Sequence, residues 1–171
     1  MNYAQSELIL TESGEVYHLK LTPEDIASTI LLVGDPGRVA TVSAHFDSIE
    51  LKKQNREFCT HTGHYKGKRI SVLSTGIGTD NIDIVMNELD ALANIDLKAR
   101  TDKAQHQSLN LIRIGTSGAV HPDIHAGDTV AAAYSLGLDG LLNFYQTQNE
   151  LFAPHAAMLF SETVGINKNW P

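Results

Sequence analysis

"ILLVGDPGRV", residues 30–39, is an apolar run that stops at a glycine and continues into an aspartate and a proline. Residues 30–33 are typical of a strand that is buried on both faces. Asp35 takes the place of a helix N-cap, and Pro36 takes that of a first helical residue. Apolar residues then recur at helical spacing, at Val39, Val42 and Phe46. The stretch therefore predicts a strand, a tight turn and a helix.

Arg38 falls in the first turn of this predicted helix, where a positive charge is electrostatically unfavourable. The N-terminus of a helix already carries partial positive charge on its exposed N–H groups. An anion held between those N–H groups and the guanidinium would remove the conflict. The turn is therefore a candidate anion site.

The middle of the chain repeats the alternation of strands and helices. Extended segments are predicted over residues 49–69, with a hairpin turn at 65–68, and a strand follows at 70–73. A helix capped by Asp80 or Asn81 comes next. The apolar face of that helix comprises Ile82, Val85, Met86, Leu89, Leu92 and Ala93. This alternation predicts an α/β fold whose site lies beyond the carboxyl ends of the strands.

The remaining elements are fewer and shorter. Residues 96–108 are polar and predict a surface connection. Strands are predicted at residues 109–114 and 129–134, and a helix is predicted at 156–163.

Composition limits the classes of function. The 171 residues suffice for one domain over residues 1–171, and the net charge of −7 argues against a nucleic-acid partner. The single cysteine, Cys59, fits a reducing compartment and is interpreted as a packed residue. No leader sequence and no membrane span are expected, so we expect a cytoplasmic protein with no membrane partner.

The eight histidines are interpreted as scattered surface residues rather than metal ligands. His61 and His64 are three residues apart in a predicted extended segment, so their side chains would point to opposite faces. His18, taken from the residues alone, is also predicted to be a surface histidine.

Three predicted strands end in loops of small residues, which allow backbone N–H groups to approach a ligand closely. The loops are residues 34–37, 74–78 and 115–118. Arg38 and Arg113 stand beside the first and third loops, so two guanidinium groups and several neutral donors could surround a phosphate. Substrate contacts are expected from the loop residues Thr75, Gly76, Ser117 and Gly118. Glycines that only form tight turns are the alternative for any one loop.

Arg113 supplies a second argument for an anion site. It interrupts an apolar predicted strand, where a buried unpaired charge would be costly. An internal ion pair is the alternative explanation. Common nucleotide motifs do not fit, because no Gly-Lys-Ser/Thr sequence closes a P-loop and position 81, where a dinucleotide fingerprint starting at Gly76 needs glycine, is Asn81.

Five segments occur in a fixed order along the chain: "VYHLKL", "GDPGRV", "NREF", "STGIG" and "RIGTSGAVHPDIHAGD". Together they resemble the nucleoside phosphorylase family, and in particular its uridine phosphorylase branch. The resemblance extends from about Val16 to Gly140. It implies a three-layer α/β/α sandwich around a central mixed sheet, in the α/β class.

The resemblance also implies an activity and site residues. Family members are pentosyltransferases that cleave a ribonucleoside with inorganic phosphate, and the expected substrate is uridine or another pyrimidine nucleoside. Arg38 and Arg113 would be the catalytic residues. Phosphate would be bound by Gly34, Arg38, Arg113 and Thr116, together with Arg56 of a neighbouring subunit. His18 would reach the ribose of a neighbouring subunit, so a homo-oligomer built from dimers, such as a hexamer, is implied.

Two further expectations come from the resemblance. No metal or organic cofactor is expected apart from a monovalent cation at Glu57 and Ser74, and phosphate is the co-substrate. The C-terminal part of the family fold, which carries base recognition, is expected to be missing from this chain. A nucleosidase that uses water on the same fold, and an inactive phosphate-binding fragment, are the alternative functions.

Overall fold

The structure is a computed structural model that describes residues 2–146 and 154–164. These residues belong to two compact units, divided between Ser117 and Gly118. The prediction of one domain over residues 1–171 extends beyond the described residues and stays a prediction. Within the described part of the chain, no helix is long and apolar enough to cross a membrane.

The first unit is built on a mixed sheet of five strands, which are β1 (Thr29–Val33), β2 (Ser48–Asn55), β3 (Phe58–Tyr65), β4 (Lys68–Ser74) and β7 (Asn110–Arg113). They lie in the order β2-β3-β4-β1-β7. β1 pairs in parallel with both β4 and β7, whereas β3 is antiparallel to β2 and β4. The predicted strand at 70–73 and the predicted hairpin turn at 65–68 are confirmed.

The strand–turn–helix prediction for residues 30–39 is confirmed. Helix α1 (Pro36–Ser43) begins directly after the turn, and Asp35 is its N-cap. The Asp35 carboxylate accepts a hydrogen bond of 2.7 Å from the Gly37 N–H. Proline at the first helical position has no N–H to leave unpaired, which favours the start of a helix at this point.

Helices cover the sheet on both faces, as the sandwich prediction requires. On one face, helix α2 (Thr79–Asn94) contributes Val85, Leu89 and Leu92 to a core that includes Ile30 and Leu73 of the sheet. On the other face, α1 packs Val39 against a smaller cluster, made of Val33, Cys59 and Val72. Burial of these apolar side chains is the main stabilising term of the unit. The arrangement is α/β with three layers.

Two predicted boundaries differ from the structure. α2 begins at Thr79, so Asp80 and Asn81 lie inside its first turn, and its N-cap is Gly78 with φ 101°. A glycine takes this conformation more readily than a side-chain cap residue would. The predicted surface connection at 96–108 contains a second, two-stranded sheet of β5 (Ile95–Asp96) and β6 (Thr101–Asp102).

Strand β7 is an edge strand in the described part of the chain, and this overturns one argument about Arg113. From the sequence, Arg113 is expected inside a covered apolar strand, where its charge would be costly. In the structure all four residues of β7 are exposed. Arg113 therefore needs no buried counter-charge, because solvent can reach the guanidinium.

The second unit contains fewer elements. Helix α3 (Pro154–Val164) confirms the predicted helix at 156–163. The predicted strand at 129–134 is wrong: these residues form no strand and are exposed. A run of apolar residues makes a strand only when the backbone groups of a neighbouring strand pair with its own. No such pairing involves this segment among the described residues.

His61 corrects the prediction of surface histidines. It is 8% exposed on β3, and its Nδ1 lies 2.7 Å from the Ser43 hydroxyl of α1. Burial, together with the charge of Lys52, lowers the pKa of His61. His64 is half-buried, and its Nδ1 lies 3.1 Å from a Glu50 carboxylate oxygen.

Candidate active site

The carboxyl ends of β1, β4 and β7 meet at one edge of the sheet because the three strands are parallel and in register. Val33 pairs with Ser74, and Leu32 pairs with Arg113. β3 runs in the opposite direction, so its first residues and the preceding turn reach the same edge. Glu57, which directly precedes β3, is thereby placed beside the three strand ends.

A cavity of about 620 Å³ lies at this edge, and both arginines of the anion-site hypothesis line it. The structure brings together the following residues of that hypothesis and of the resemblance: Gly34, Arg38, Glu57, Gly76, Arg113 and Thr116. Asp35, Ile77, Asn81 and Gly115 also line the cavity. Two arginines and one threonine thus line a single space, together with the acidic residues Asp35 and Glu57.

Gly34 marks the point where the three loops come closest. A Cβ atom placed on Gly34 would lie 3.6 Å from Arg113 Nη2 and 3.7 Å from the Gly76 carbonyl oxygen. The loop after β1 therefore lies against the loop after β4 and the last residue of β7. The Arg113 side chain lies against the strand end that leads into α1.

The N-terminus of α1 does not offer the free N–H groups that the sequence argument assumed. Pro36 has no N–H, and the Gly37 N–H donates to the Asp35 carboxylate. The Arg38 N–H donates to the Asp35 carbonyl oxygen at 3.0 Å. Asp35 therefore supplies the negative charge that this helix end favours. What the loop offers to an anion is the Arg38 side chain rather than the end of the helix.

The loop after β4 is shaped by Gly76, which has φ +67° and is buried. A Cβ atom there would lie 2.6 Å from Asn81 Nδ2 and 2.9 Å from Glu57 Cγ. Asn81 also donates from Nδ2 to the Ile77 carbonyl oxygen at 3.1 Å. Only glycine meets both requirements, a positive φ and close contact on its side-chain face.

Ser74 and Thr75 are fully buried, and their hydroxyl groups bond to the backbone. The Ser74 hydroxyl donates to the Glu57 carbonyl oxygen at 2.6 Å and accepts from the Cys59 N–H at 2.7 Å. Thr75 donates from its N–H to the Val33 carbonyl oxygen at 2.8 Å. The Ser74 hydroxyl keeps one further lone pair beyond these two bonds. A monovalent cation at Glu57 and Ser74 stays a prediction.

The loop after β7 is divided between the two units. Thr116 lines the cavity, and Ser117 is an exposed residue at the end of the first unit. Gly118 begins the second unit and is also exposed. Contacts of Ser117 and Gly118 with a substrate stay predictions.

Arg56 and His18 lie outside this cavity but close to each other. Arg56 is exposed on the turn between β2 and β3, with φ 54°. Its neighbour Asn55 donates from Nδ2 to the His18 carbonyl oxygen at 2.7 Å. His18 is half-buried rather than on the open surface, and its Nδ1 lies 2.7 Å from Glu88 Oε1.

Sequence reasoning missed Ile77 and Asn81 as lining residues and Glu88 as the partner of His18. Asn81 lies in the first turn of α2, so its side chain returns toward the loop that precedes the helix. In the sequence, Asn81 is notable only as a possible helix cap and as a residue where a dinucleotide fingerprint needs glycine. Nothing in the spacing of His18 and Glu88, which are 70 residues apart, indicates their contact.

Comparison with known proteins decides the family. A family model described as "Phosphorylase superfamily" matches residues 28–164. This chain belongs to the phosphorylase superfamily. The matched range contains the three loops that form the cavity, and it confirms the resemblance seen in the motifs.

The relatives in the phosphorylase superfamily include both uridine phosphorylases and purine nucleoside phosphorylases. The chain is 36% identical over 143 residues to a uridine phosphorylase of Thermococcus kodakarensis, covering 84% of this chain and 47% of that protein. It is 35% identical over 141 residues to a DeoD-type purine nucleoside phosphorylase of Thermoanaerobacter sp. strain X514, covering 82% and 54%. The chain therefore spans about half the length of these curated relatives.

Solved structures show the same fold relationship. A Trypanosoma brucei nucleoside phosphorylase, described as having uridine phosphorylase activity, aligns with a TM-score of 0.63 and 35% identity, covering 69% of this chain and 41% of that one. A uridine phosphorylase of the oomycete Phytophthora capsici aligns with a TM-score of 0.59 and 28% identity, covering 73% and 39%. The α/β sandwich derived above is the fold of these phosphorylases.

Proposed function

We propose that the protein is a nucleoside phosphorylase, a pentosyltransferase that uses inorganic phosphate to cleave a ribonucleoside into free base and ribose 1-phosphate. The observation that carries the proposal is the position of Arg38 and Arg113, whose side chains line one cavity at the carboxyl edge of the sheet. Paired guanidinium groups are suited to hold a phosphate through charge-assisted hydrogen bonds.

The chemistry explains why phosphate must be held firmly. As the glycosidic bond breaks, positive oxocarbenium character develops on the ribose, and the phosphate oxygen is both its electrostatic partner and the attacking nucleophile. Fixing the phosphate below the anomeric carbon makes the attack effectively unimolecular. Groups already oriented toward the phosphate need no rearrangement in the transition state.

Each lining residue has a role in this proposal. Arg38 and Arg113 bind and orient the phosphate, and the Thr116 hydroxyl donates a further hydrogen bond. Gly34 lies beside Arg113 Nη2, and the positive φ and short contacts of Gly76 let the loop after β4 approach closely. Asp35 and Glu57 also line the cavity and carry negative charge, so binding depends on both arginines acting together.

For the base, we propose uridine or another pyrimidine nucleoside. Support comes from the uridine phosphorylases among the relatives and solved structures. Purine nucleoside phosphorylases at 35% identity are the competing class. Release of uracil from uridine, compared with release of hypoxanthine from inosine under equal conditions, separates the two.

We further propose a homo-oligomer built from dimers, with shared active sites. Arg56 would complete the phosphate site of a partner subunit, and His18 would contact the ribose bound there. The hydrogen bond from Asn55 to the His18 carbonyl oxygen keeps these two donated residues together. Glu57 is adjacent to Arg56 and lines the cavity of its own subunit. The surface that donates Arg56 to a partner therefore adjoins the cavity that receives the partner's arginine. Such adjacency suits a two-fold interface in which each subunit completes the other.

The proposed location is the cytoplasm, which fits a chain whose single cysteine is buried and unpaired.

The test of function is base release measured with and without phosphate. A phosphorylase releases uracil only when phosphate is present, and ribose 1-phosphate accumulates in equal amount. Release that does not depend on phosphate would identify a nucleosidase instead. Phosphate binding without base release from uridine or inosine would identify a binding fragment, and either result would overturn the proposal.

A further inference from the structure

The Glu88 side chain, on α2, accepts several hydrogen bonds from the segment that carries His18, and phosphate binding does not explain them. Its Oε1 accepts from the His18 backbone N–H at 2.8 Å, and its Oε2 accepts from the Leu19 N–H at 2.8 Å. Oε2 also lies 3.1 Å from the His18 N. The side chain of Glu88 is 15% exposed. One carboxylate thus fixes two consecutive backbone N–H groups of the segment that carries His18.

The same carboxylate reaches the imidazole ring. Glu88 Oε1 lies 2.7 Å from His18 Nδ1. An ionised carboxylate only accepts hydrogen bonds, so a contact this short requires the proton on Nδ1. In a neutral imidazole the other nitrogen, Nε2, is then an acceptor.

Other contacts hold the ring in place. The Tyr17 ring packs edge-on against it, with centroids 5.0 Å apart and an angle of 88° between the planes. Asn55 fixes the carbonyl oxygen of His18 from the side of β2. The His18 side chain nevertheless stays 28% exposed, so it can still meet a group from outside the subunit.

We propose that Glu88 is a positioning residue, which sets the tautomer of His18 so that Nε2 accepts a hydrogen bond from a sugar hydroxyl. The inference rests on the proposed function, in which His18 contacts ribose in a partner subunit. The new element is the direction of the hydrogen bonds. Nε2 of His18 accepts from the sugar hydroxyl, while Nδ1 carries the proton and donates to the Glu88 carboxylate.

Replacement of Glu88 by glutamine distinguishes this role from simple packing, because the two side chains have the same shape. Only the position of Oε2 is within hydrogen-bond distance of both backbone N–H groups, those of His18 and Leu19, so we expect the amide oxygen to occupy it. The amide nitrogen then faces Nδ1 as a donor. Nδ1 must become an acceptor, and the proton moves to Nε2.

The test is the tautomer of His18, read from nitrogen-15 chemical shifts of the full chain at about pH 9, above the ordinary imidazole pKa. The resonance is assigned by its loss in His18→Asn. We expect a protonated Nδ1 in the wild type and a protonated Nε2 in Glu88→Gln. Asp90→Asn, on the exposed side of the same helix, removes an equal charge and should leave the His18 tautomer unchanged.

A wild-type ring protonated on Nε2, or a tautomer that Glu88→Gln leaves unchanged, would overturn the inference. The wild-type spectrum alone tests the tautomer proposed for His18, even if a variant fails to fold. In uridine phosphorolysis, Glu88→Gln should raise KM several-fold and leave kcat within about twofold, since ribose contacts distant from the reacting bond contribute mainly to binding. A wild type without phosphorolysis would refute the proposed function, whereas the spectra would still decide the role of Glu88.

Discussion

Replacement of Gly76 by alanine tests how the loop after β4 shapes the cavity, and Gly67 is a matched control. Both glycines have positive φ, +67° for Gly76 and +76° for Gly67. A Cβ atom on Gly67 would meet nothing within 4 Å, whereas one on Gly76 would meet Asn81 and Glu57. The two substitutions therefore share the conformational cost and differ in the contact cost.

The expected magnitudes follow from these contacts. An alanine in the left-handed region costs about 1–2 kcal/mol, and Gly67→Ala should lose this amount. Gly76→Ala also displaces Asn81 Nδ2, only 2.6 Å from the new Cβ, and so disturbs its hydrogen bond to Ile77. That loss adds about 1 kcal/mol, and moving Glu57 Cγ adds about 1 kcal/mol more. We expect Gly76→Ala to lose about 3–4 kcal/mol in total.

The assay is urea unfolding of both variants and the wild type, with the free energy of unfolding extrapolated to water. Phosphate affinity is measured on the same samples and should fall in Gly76→Ala alone, because Asn81 and Glu57 line the cavity. Equal free energies for the two variants, within about 0.5 kcal/mol, would refute the reasoning.

Two further predictions concern the stability of the first unit. Thr60 is 1% exposed, and its Oγ1 has no hydrogen-bond partner among the described residues, so Thr60→Val should raise the free energy of unfolding by about 1 kcal/mol. Thr62→Val on the same strand should lower it by about 1–3 kcal/mol, because the Thr62 hydroxyl donates to the Asp25 carbonyl oxygen at 2.6 Å. Urea unfolding checks both, and a loss in Thr60→Val would contradict the first. Lys53 Nζ bonds Glu15 and Asp25 at 2.7 and 2.8 Å and holds the Glu15 pKa low. Burial opposes this effect at Asp25, but Lys53 and the Thr22 N–H still keep the Asp25 pKa low. Since the unfolded carboxylates bind protons more readily, this stabilisation is fully present above the ordinary carboxyl pKa and is lost as pH falls below about 4, through the lowered pKa values of the folded state. Lys53→Met should flatten this loss between about pH 6 and about pH 3, and an unchanged slope would exclude Lys53 as its cause.

Local patterns predicted the parts of the fold that depend on neighbouring residues. The turn at residues 34–37 is an example, because Asp35 caps the helix that Pro36 begins. Parallel strands that end in small residues also sufficed to place Arg38 and Arg113 at one edge of the sheet. Chain direction alone brings such residues together, without knowledge of packing.

The parts that sequence missed depend on contacts between distant residues. Whether Arg113 is covered depends on what pairs with the open side of β7, and a strand pattern does not contain that information. The contact of His18 with Glu88 joins residues 70 apart, and the burial of His61 depends on α1 packing over β3. The occupied N–H groups of α1 were missed for a different reason: a capping aspartate and an anion satisfy the same donors.

Calorimetric titration of the chain with inorganic phosphate tests the central claim most directly, with Arg38→Gln, Arg113→Gln and Lys68→Gln compared at one ionic strength. Lys68 is an exposed cation on the β3–β4 hairpin, at the opposite end of β4 from the cavity, so its replacement removes an equal charge. We expect one phosphate site per chain, weakened about tenfold to 100-fold by either arginine substitution and unchanged in Lys68→Gln. Equal phosphate affinity in all four proteins would show that the two guanidinium groups do not bind one anion, and would contradict the account.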